Sequence, residues 1–334
     1  MIRLLCAGLG GMGRHDWSSA AKVKAFKIVG GADVNDAART AFEKETGAPA
    51  FADFGEALKR IEADAALVAT PDAFHAPMSI AAMKAGLDVI CEKPMAATLA
   101  DARMMHRTAR RLGRLLMIHH QLNWLPSYFH ARRMLARGAI GRLRSALFDM
   151  SVFSNACLVG YRSKLPHLML KDLAIHHFDL IRHLTGAECE RISARDWASN
   201  EDGAGIKATS HAFAVLDMSG PITVSYRSTM RCIADPTGYG CRVELTGSKG
   251  VMTVNSEAIT IQTFKRYLAK QPPQTVPLPK CDGTPWPDFA RAIMTRKPAL
   301  TDSADNLRSV ELLYAAIASA ESGKTVNLRR AASG

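Results

Sequence analysis

Ile2-Arg3-Leu4-Leu5-Cys6-Ala7-Gly8-Leu9-Gly10-Gly11-Met12-Gly13 stands near the start of the chain, and its reading decides the fold. The first six residues read as a buried parallel strand. Gly8-x-Gly10-x-x-Gly13 then makes a turn that opens a helix. One glycine permits the tight turn, one lets backbone approach a pyrophosphate, and one packs helix against strand. The helix N-terminus would face the phosphates. Asp33 comes 20 residues after Gly13, at the end of a second apolar strand, 26–33. A carboxylate there accepts from both ribose hydroxyls of an adenosine and repels a 2′-phosphate, which favours NAD over NADP. The competing reading is a glycine turn that merely connects. On the first reading Gly8, Leu9, Gly10, Gly11, Met12, Gly13 and Asp33 hold the cofactor.

Working outward, strand and helix patterns alternate for about 120 residues. A helix over Asp36–Thr46 stops at Gly47, a strand over 65–70 stops at Thr70-Pro71, and a helix over 76–85 stops at Gly86. A strand over 87–91, a helix over Leu99–Leu112 and a strand over 115–118 complete the series. Such alternation implies right-handed βαβ units and a parallel sheet. After Asn123 the pattern changes. Helices over 127–136 and 172–184 precede strands in direct succession: 189–198, 208–218, 222–232, 242–246 and 251–254. This predicts a large open, mostly antiparallel sheet with one face on helices and the other open to a partner. The Pro-rich stretch 271–287 reads as a loop, and 304–322 as a last helix. The expected class is α/β: a Rossmann domain over 1–123, then an α+β domain over 124–334.

The bulk numbers agree. The 334 residues are too many for one ordinary core. Hydrophobic residues make up 48% and charged residues 22%, a globular composition. No apolar run approaches the ~20 residues that span a bilayer, and the first strand reaches the glycine turn too soon for a signal peptide. Seven scattered cysteines without a CxxC pair suit reduced thiols in a cytoplasm. The net charge of +12 is dispersed, with no basic run interleaved with aromatics. It fits attraction of anionic small ligands better than nucleic acid binding.

Further candidates lie at strand ends. Thr70-Pro71-Asp72-Ala73-Phe74-His75 follows the third clear strand, so Thr70, Pro71 and His75 are placed for the nicotinamide-side ribose and phosphates, or else form a Pro turn and a solvated helix start. Glu92-Lys93-Pro94 follows the next strand, and ligands of doubly wound sheets bind at such carboxyl ends. An X–Pro bond can adopt cis there and aim a side chain out of the strand. Lys93 is then either a surface charge or a cation that polarises a substrate hydroxyl or carries its proton. Asp172, His176, Asp179 and His183 fall at i, i+4, i+7 and i+11, one helical face. They read as a solvated face, a metal site or a catalytic stripe. Metal is the weaker choice, because hydride transfer from an alcohol needs only a base, and imidazole titrates near neutrality. The adjacent His119-His120 point to opposite sides of a strand and line a pocket at best.

At this point the chain resembles the glucose–fructose oxidoreductase, inositol dehydrogenase and MocA-like family, from Ile2 to about Leu328. The resemblance rests on the glycine turn, Asp33, Ala66-Leu67-Val68-Ala69-Thr70-Pro71 with His75, and Ala85-Gly86-Leu87-Asp88-Val89-Ile90-Cys91-Glu92-Lys93-Pro94. It extends to Gly138-Ala139-Ile140-Gly141, Asp172 with His176 and Asp179, and Glu244-Leu245-Thr246-Gly247-Ser248-Lys249-Gly250. It implies that Lys93, Asp172 and His176 are catalytic and that Glu92 and Lys93 adjoin the cofactor. It also implies sugar, polyol or cyclitol substrates, and dimers or tetramers packed through the second domain's sheet. His119-His120-Gln121-Leu122-Asn123-Trp124 and Leu168-Met169-Leu170-Lys171 depart from the family pattern in segments that face substrate. Asn123, Tyr161, Arg162 and His167 are therefore candidate substrate contacts, beside Asp172 and His176. The expected activity is NAD-dependent dehydrogenation. Transient redox within elimination, epimerisation or glycoside cleavage is one alternative, and a non-catalytic NAD sensor is another.

Overall fold

The computed structural model describes residues 1–155, 159–199, 202, 206–266, 269–280 and 283–328. The chain divides into two compact units: Met1–His120 with Thr284–Val310, and Gln121–Gly283 with Glu311–Gly334.

The first unit holds strands β1 (Ile2–Ala7), β2 (Phe26–Ala32), β3 (Ala50–Phe51), β4 (Ala65–Val68), β5 (Asp88–Glu92) and β6 (Leu116–His119). They form one parallel sheet in the order β3-β2-β1-β4-β5-β6, so the sequence direction reverses between β1 and β4. Helices α1 (Gly11–Ala21), α2 (Asp36–Thr46), α3 (Phe54–Arg60), α4 (His75–Lys84) and α5 (Leu99–Leu112) make the crossovers. β4, β5 and β6 are buried along their whole length, as strands covered on both faces must be. Local chemistry sets the helix ends. The Asn35 side chain caps α2 through Ala37 N and Ala38 N, and Thr98 caps α5 through Asp101 N. Gly47 and Gly113 end these helices in the left-handed conformation.

The same unit takes up a later segment. Helix α8 (Trp286–Thr295) starts at the very end of the stretch expected to be a loop and runs on beyond it. Its Trp286 is fully buried, edge-on to Phe26 at 5.4 Å. Beyond it, Thr301 O accepts from Ile118 N at 2.9 Å and Met117 bridges Asp302, so the edge of β6 is paired.

The second unit carries α6 (Pro126–Ala136), β7 (Leu143–Ser151), α7 (Ile175–Thr185), β8 (Cys189–Trp197), β9 (His211–Met218), β10 (Ile222–Thr229), β11 (Arg242–Gly247), β12 (Gly250–Val254), β13 (Ile259–Arg266), β14 (Ala269–Lys270), β15 (Gln274–Val276) and β16 (Val326–Asn327). Helix α9 (Ser303–Ser322) begins in the first unit and ends in the second. The sheet runs β14-β13-β12-β11-β7-β10-β9-β8-β16, with β15 paired to β13. Every pair is antiparallel except β7 with β10, which makes the sheet mixed. Burial alternates along β9. Ala212, Ala214 and Leu216 face a core with Phe148, Phe178 and Tyr226, while Phe213 and Val215 stay 44% and 37% exposed.

Candidate functional site

The glycine turn has the geometry of a phosphate cradle. Gly8 has φ +86°, and a Cβ there would lie 2.4 Å from Ala69 O. A Cβ on Gly13 would lie 2.1 Å from Gly8 O. Both positions exclude any side chain. Gly10, the N-cap of α1, has nothing nearer than 4.0 Å and supplies no capping side chain, and the first turn of α1 holds no acid. The open N–H groups of α1 therefore suit a pyrophosphate. Leu9 is buried and Met12 is half-exposed. Asp33 Oδ2 accepts from Leu9 N at 2.8 Å, and Oδ1 from Asn35 N at 2.9 Å. The carboxylate thus braces the turn and keeps lone pairs for a ribose. These residues fit NAD.

β5 ends at Glu92, and the Lys93–Pro94 bond is cis. Lys93 is half-buried at the carboxyl edge of the sheet. His75, expected among the cofactor contacts, is buried. Its Nδ1 lies 2.7 Å from Pro94 O and its Nε2 2.7 Å from Thr70 O. It clamps the ends of two strands together. Two carbonyl partners suit a doubly protonated ring. Burial acts to lower its pKa, but Cys91 and the two carbonyls raise it to about 9. Pro71 precedes a short 3₁₀ turn, Asp72–Phe74.

Glu92, also expected at the cofactor, is buried and turned elsewhere. Its Oε2 accepts from Lys93 N at 3.1 Å, and its Oε1 lies 2.6 Å from His119 Nδ1. Asp16 Oδ1 of α1 lies 3.3 Å from the same nitrogen. All three residues are buried. Burial acts to lower the His119 pKa, but Glu92 and Asp16 outweigh it and raise it to about 10. Burial raises Asp16 to about 6, and Glu92 falls to about 2 because His119 and Lys93 overcome its burial. The three groups offer donor atoms within 4.8 Å of one another, as a metal would need. The 2.6 Å and 3.3 Å approaches are those of buried ion pairs, and Asp16 Oδ1, Glu92 Oε1 and His119 Nδ1 are not aligned as hydrogen-bond partners. Sequence reasoning missed this cluster. A buried aspartate on α1 and a histidine closing a strand were its only signals.

In the second unit, Met169–Ala174 is a π-helical turn that runs into α7. Such turns are frequent at functional sites. The expected single stripe is therefore divided. Eleven residues of helix also span ~16 Å, too far for Asp172 and His183 to serve one centre. The Asp172 side chain is 26% exposed, 3.3 Å from Arg162 Nε. His176 is buried with its ring edge-on to Tyr239 at 5.3 Å. Asp179 is buried and accepts from Asn123 Nδ2 at 2.6 Å, so Asn123 is committed to the core. Burial lowers the His183 pKa to about 4, with Arg132 and Arg182 adding to that and Asp179 opposing it. His167, at φ 55°, is bracketed by Asp196 at 2.9 Å and Glu321 at 3.2 Å. The Tyr161 side chain lies outside the described residues.

A parallel sheet that reverses at β1, with a glycine cradle on one strand and a braced acid on the next, is the nucleotide half of a Rossmann oxidoreductase. Comparison with known proteins gives the family. The oxidoreductase family with an NAD-binding Rossmann fold matches residues 2–120, and the GFO/IDH/MocA C-terminal domain matches 128–253. Inositol 2-dehydrogenase 1 of Saccharopolyspora erythraea is 27% identical over 264 residues, 78% of this chain and 76% of that protein. D-apiose dehydrogenase of Paraburkholderia graminis is 29% identical over 285 residues, 78% and 72% of the two chains. Levoglucosan dehydrogenase, solved with NADH and levoglucosan, superposes with a TM-score of 0.88 at 18% identity, over 98% of this chain and all (100%) of the other. The chain belongs to the GFO/IDH/MocA oxidoreductases and carries their NAD-binding Rossmann domain.

Proposed function

We propose that the protein oxidises a secondary hydroxyl of a sugar, sugar acid or cyclitol. The observation that carries this reading is Lys93, half-buried at the carboxyl end of β5 with both flanks pinned, by Glu92 and by His75. NAD, when bound, supplies the hydride acceptor at nicotinamide C4. Lys93 hydrogen-bonds the reacting oxygen and stabilises the alkoxide charge that develops as its proton leaves. His176 takes that proton, and the carbinol carbon gives up its hydride, leaving a ketone. Asp172 anchors a neighbouring hydroxyl. It pairs with Arg162 at 3.3 Å. Of the candidate substrate contacts, Arg162 is proposed to act together with its partner Asp172, while Asn123 and His167 are held by carboxylates not proposed to touch substrate.

The decisive experiment is an NAD-reduction screen over sugars, sugar acids and inositols. Turnover of at least one polyol supports the reading. An inert protein across the panel favours an NAD sensor, and product without net NADH marks a transiently used cofactor.

The outer face of the second sheet presents Leu147 at 45% exposure on β7 and Phe213 and Val215 on β9, with β10 between them. Two copies packed there would cover this apolar face. A stable monomer by light scattering at micromolar concentration contradicts that part of the proposal.

A further inference from the structure

We propose that His119 is a positioning residue for Lys93, acting through Glu92 and fixed by Asp16 to the helix that begins at the glycine turn. The proposal rests on the reading of Lys93 as a catalytic group.

The contacts run in one line. Asp16 belongs to α1, the helix whose N-terminus forms the phosphate cradle. It reaches His119, the last residue of β6. His119 reaches Glu92, the last residue of β5. Glu92 reaches back to the backbone N–H of Lys93 at 3.1 Å. The peptide that enters Lys93 is thereby tied to the helix that seats the dinucleotide. A lysine that must meet a developing alkoxide tolerates little error, since a misplacement of ~1 Å costs about 10²-fold in rate.

Three buried ionisable groups are a poor means of stabilising a fold. Well-packed apolar residues of similar volume are often as stable or more so, and a fixed arrangement is the use that a buried pair serves in some proteins. His119 suits that task. It is sheltered beside the Trp286 ring, with centroids 6.2 Å apart, and its Nδ1 lies at ion-pair distance from one carboxylate, 2.6 Å, and a second, 3.3 Å. Trp286 and the β-strand ends leave it little freedom to turn. Buried groups that orient those doing the chemistry are worth about 10–100-fold where measured at metal ligands, and the same logic applies to a lysine.

The test uses the full-length protein, NAD and the substrate found by the screen. His119→Gln and Glu92→Gln should each lower kcat by roughly 10–100-fold. KM and Kd for NAD should stay within about twofold, because the cradle is untouched. The two losses should not multiply in the double variant, since both break one chain of contacts. The apolar double Glu92→Met/His119→Leu should fold and still be slow, which separates aim from stability. Reductive methylation of Lys93, followed by mass spectrometry, should change rate in each variant without any turnover being needed. Native kcat and native Lys93 reactivity in the apolar double variant would overturn the proposal. So would losses that multiply. Lys93→Met separates the two ideas. If it is slow while the His119 variants are native, only this inference fails. If it is itself fast, the reading of Lys93 fails.

Discussion

Cofactor choice is worked most directly from Asp33. Its two oxygens already accept from Leu9 N at 2.8 Å and Asn35 N at 2.9 Å. A carboxylate has about four acceptor sites, so about two remain for ribose hydroxyls. A 2′-phosphate would bring a charge of about −2 to within on the order of 5 Å of that carboxylate. At an effective dielectric of about 40–80 for a half-exposed site, the repulsion is about 2–3 kcal/mol. That is a preference for NADH over NADPH of roughly 30–150-fold. Arg39 does not offset it, because its guanidinium is taken up by Asp33 O at 2.8 Å and Asp36 at 2.6 Å. Asp33→Asn removes the charge while keeping an acceptor and the shape, so the preference should fall below about tenfold. Asp33→Ala also leaves the Leu9 and Asn35 N–H groups without their acceptor. Both cofactors should then bind more weakly, by about 1–3 kcal/mol, with the gap narrowed as well. Fluorescence titration of NADH and NADPH against the three proteins measures this. Equal affinities in the wild type, or an unchanged gap in Asp33→Asn, would refute the reasoning.

Other outcomes follow from the same structure. Lys93→Met and His176→Ala should each cut turnover roughly 10²–10⁴-fold in steady-state assays with NAD saturating, and a near-native rate in His176→Ala would move the proton acceptor elsewhere. The His119 pKa is raised from 6.5 to about 10, so its contribution to stability is fully present below pH 6.5 and is lost as pH rises through about 10. Urea midpoints measured from pH 6.5 to 10 should fall in the wild type and fall less in His119→Gln; parallel curves would contradict this. Asn123→Ala should destabilise the second unit by about 1–3 kcal/mol, because Asp179 stays buried without its 2.6 Å donor. NAD affinity should not change, and a lowered affinity would show that Asn123 does more than serve the core.

Much of the first unit is legible in the sequence because its strands are uninterrupted apolar runs and its helices stop at Gly47, Gly86 and Gly113. The short β3 and the seven-residue α3 give too few periods to read. Helix α8 is hidden by Pro285 at its N-cap and Pro287 in its first turn, where proline is tolerated rather than disruptive. β7 escapes because Arg144 and Ser145 open it with exposed polar residues before the burial begins. Of the site, the glycine cradle and Asp33 are local patterns and were readable. The place of Lys93 after a buried strand is likewise legible. The stripe of Asp172 and His176 was seen, but nothing in the spacing announced a π turn. Asn123 and Asp179 are 56 residues apart in the chain. Asp16, Glu92 and His119 come together only once β5 and β6 lie side by side. Such partnerships are set by strand order, which local periodicity does not carry.

The pairing of β6 with the segment around Thr301 has a consequence for biosynthesis. A ribosome releases Met1–His120 long before Thr284–Val310, and all the second unit's described strands but β16 emerge in between. Until then β6 presents an open edge, and Phe26 lacks the Trp286 ring that covers it. An open parallel edge is a template for unwanted pairing. The nascent first unit therefore waits, incomplete, for a strap encoded nearly 200 residues downstream of its last strand. Chains truncated before Trp286 should be the ones that chaperones hold and that aggregate in their absence.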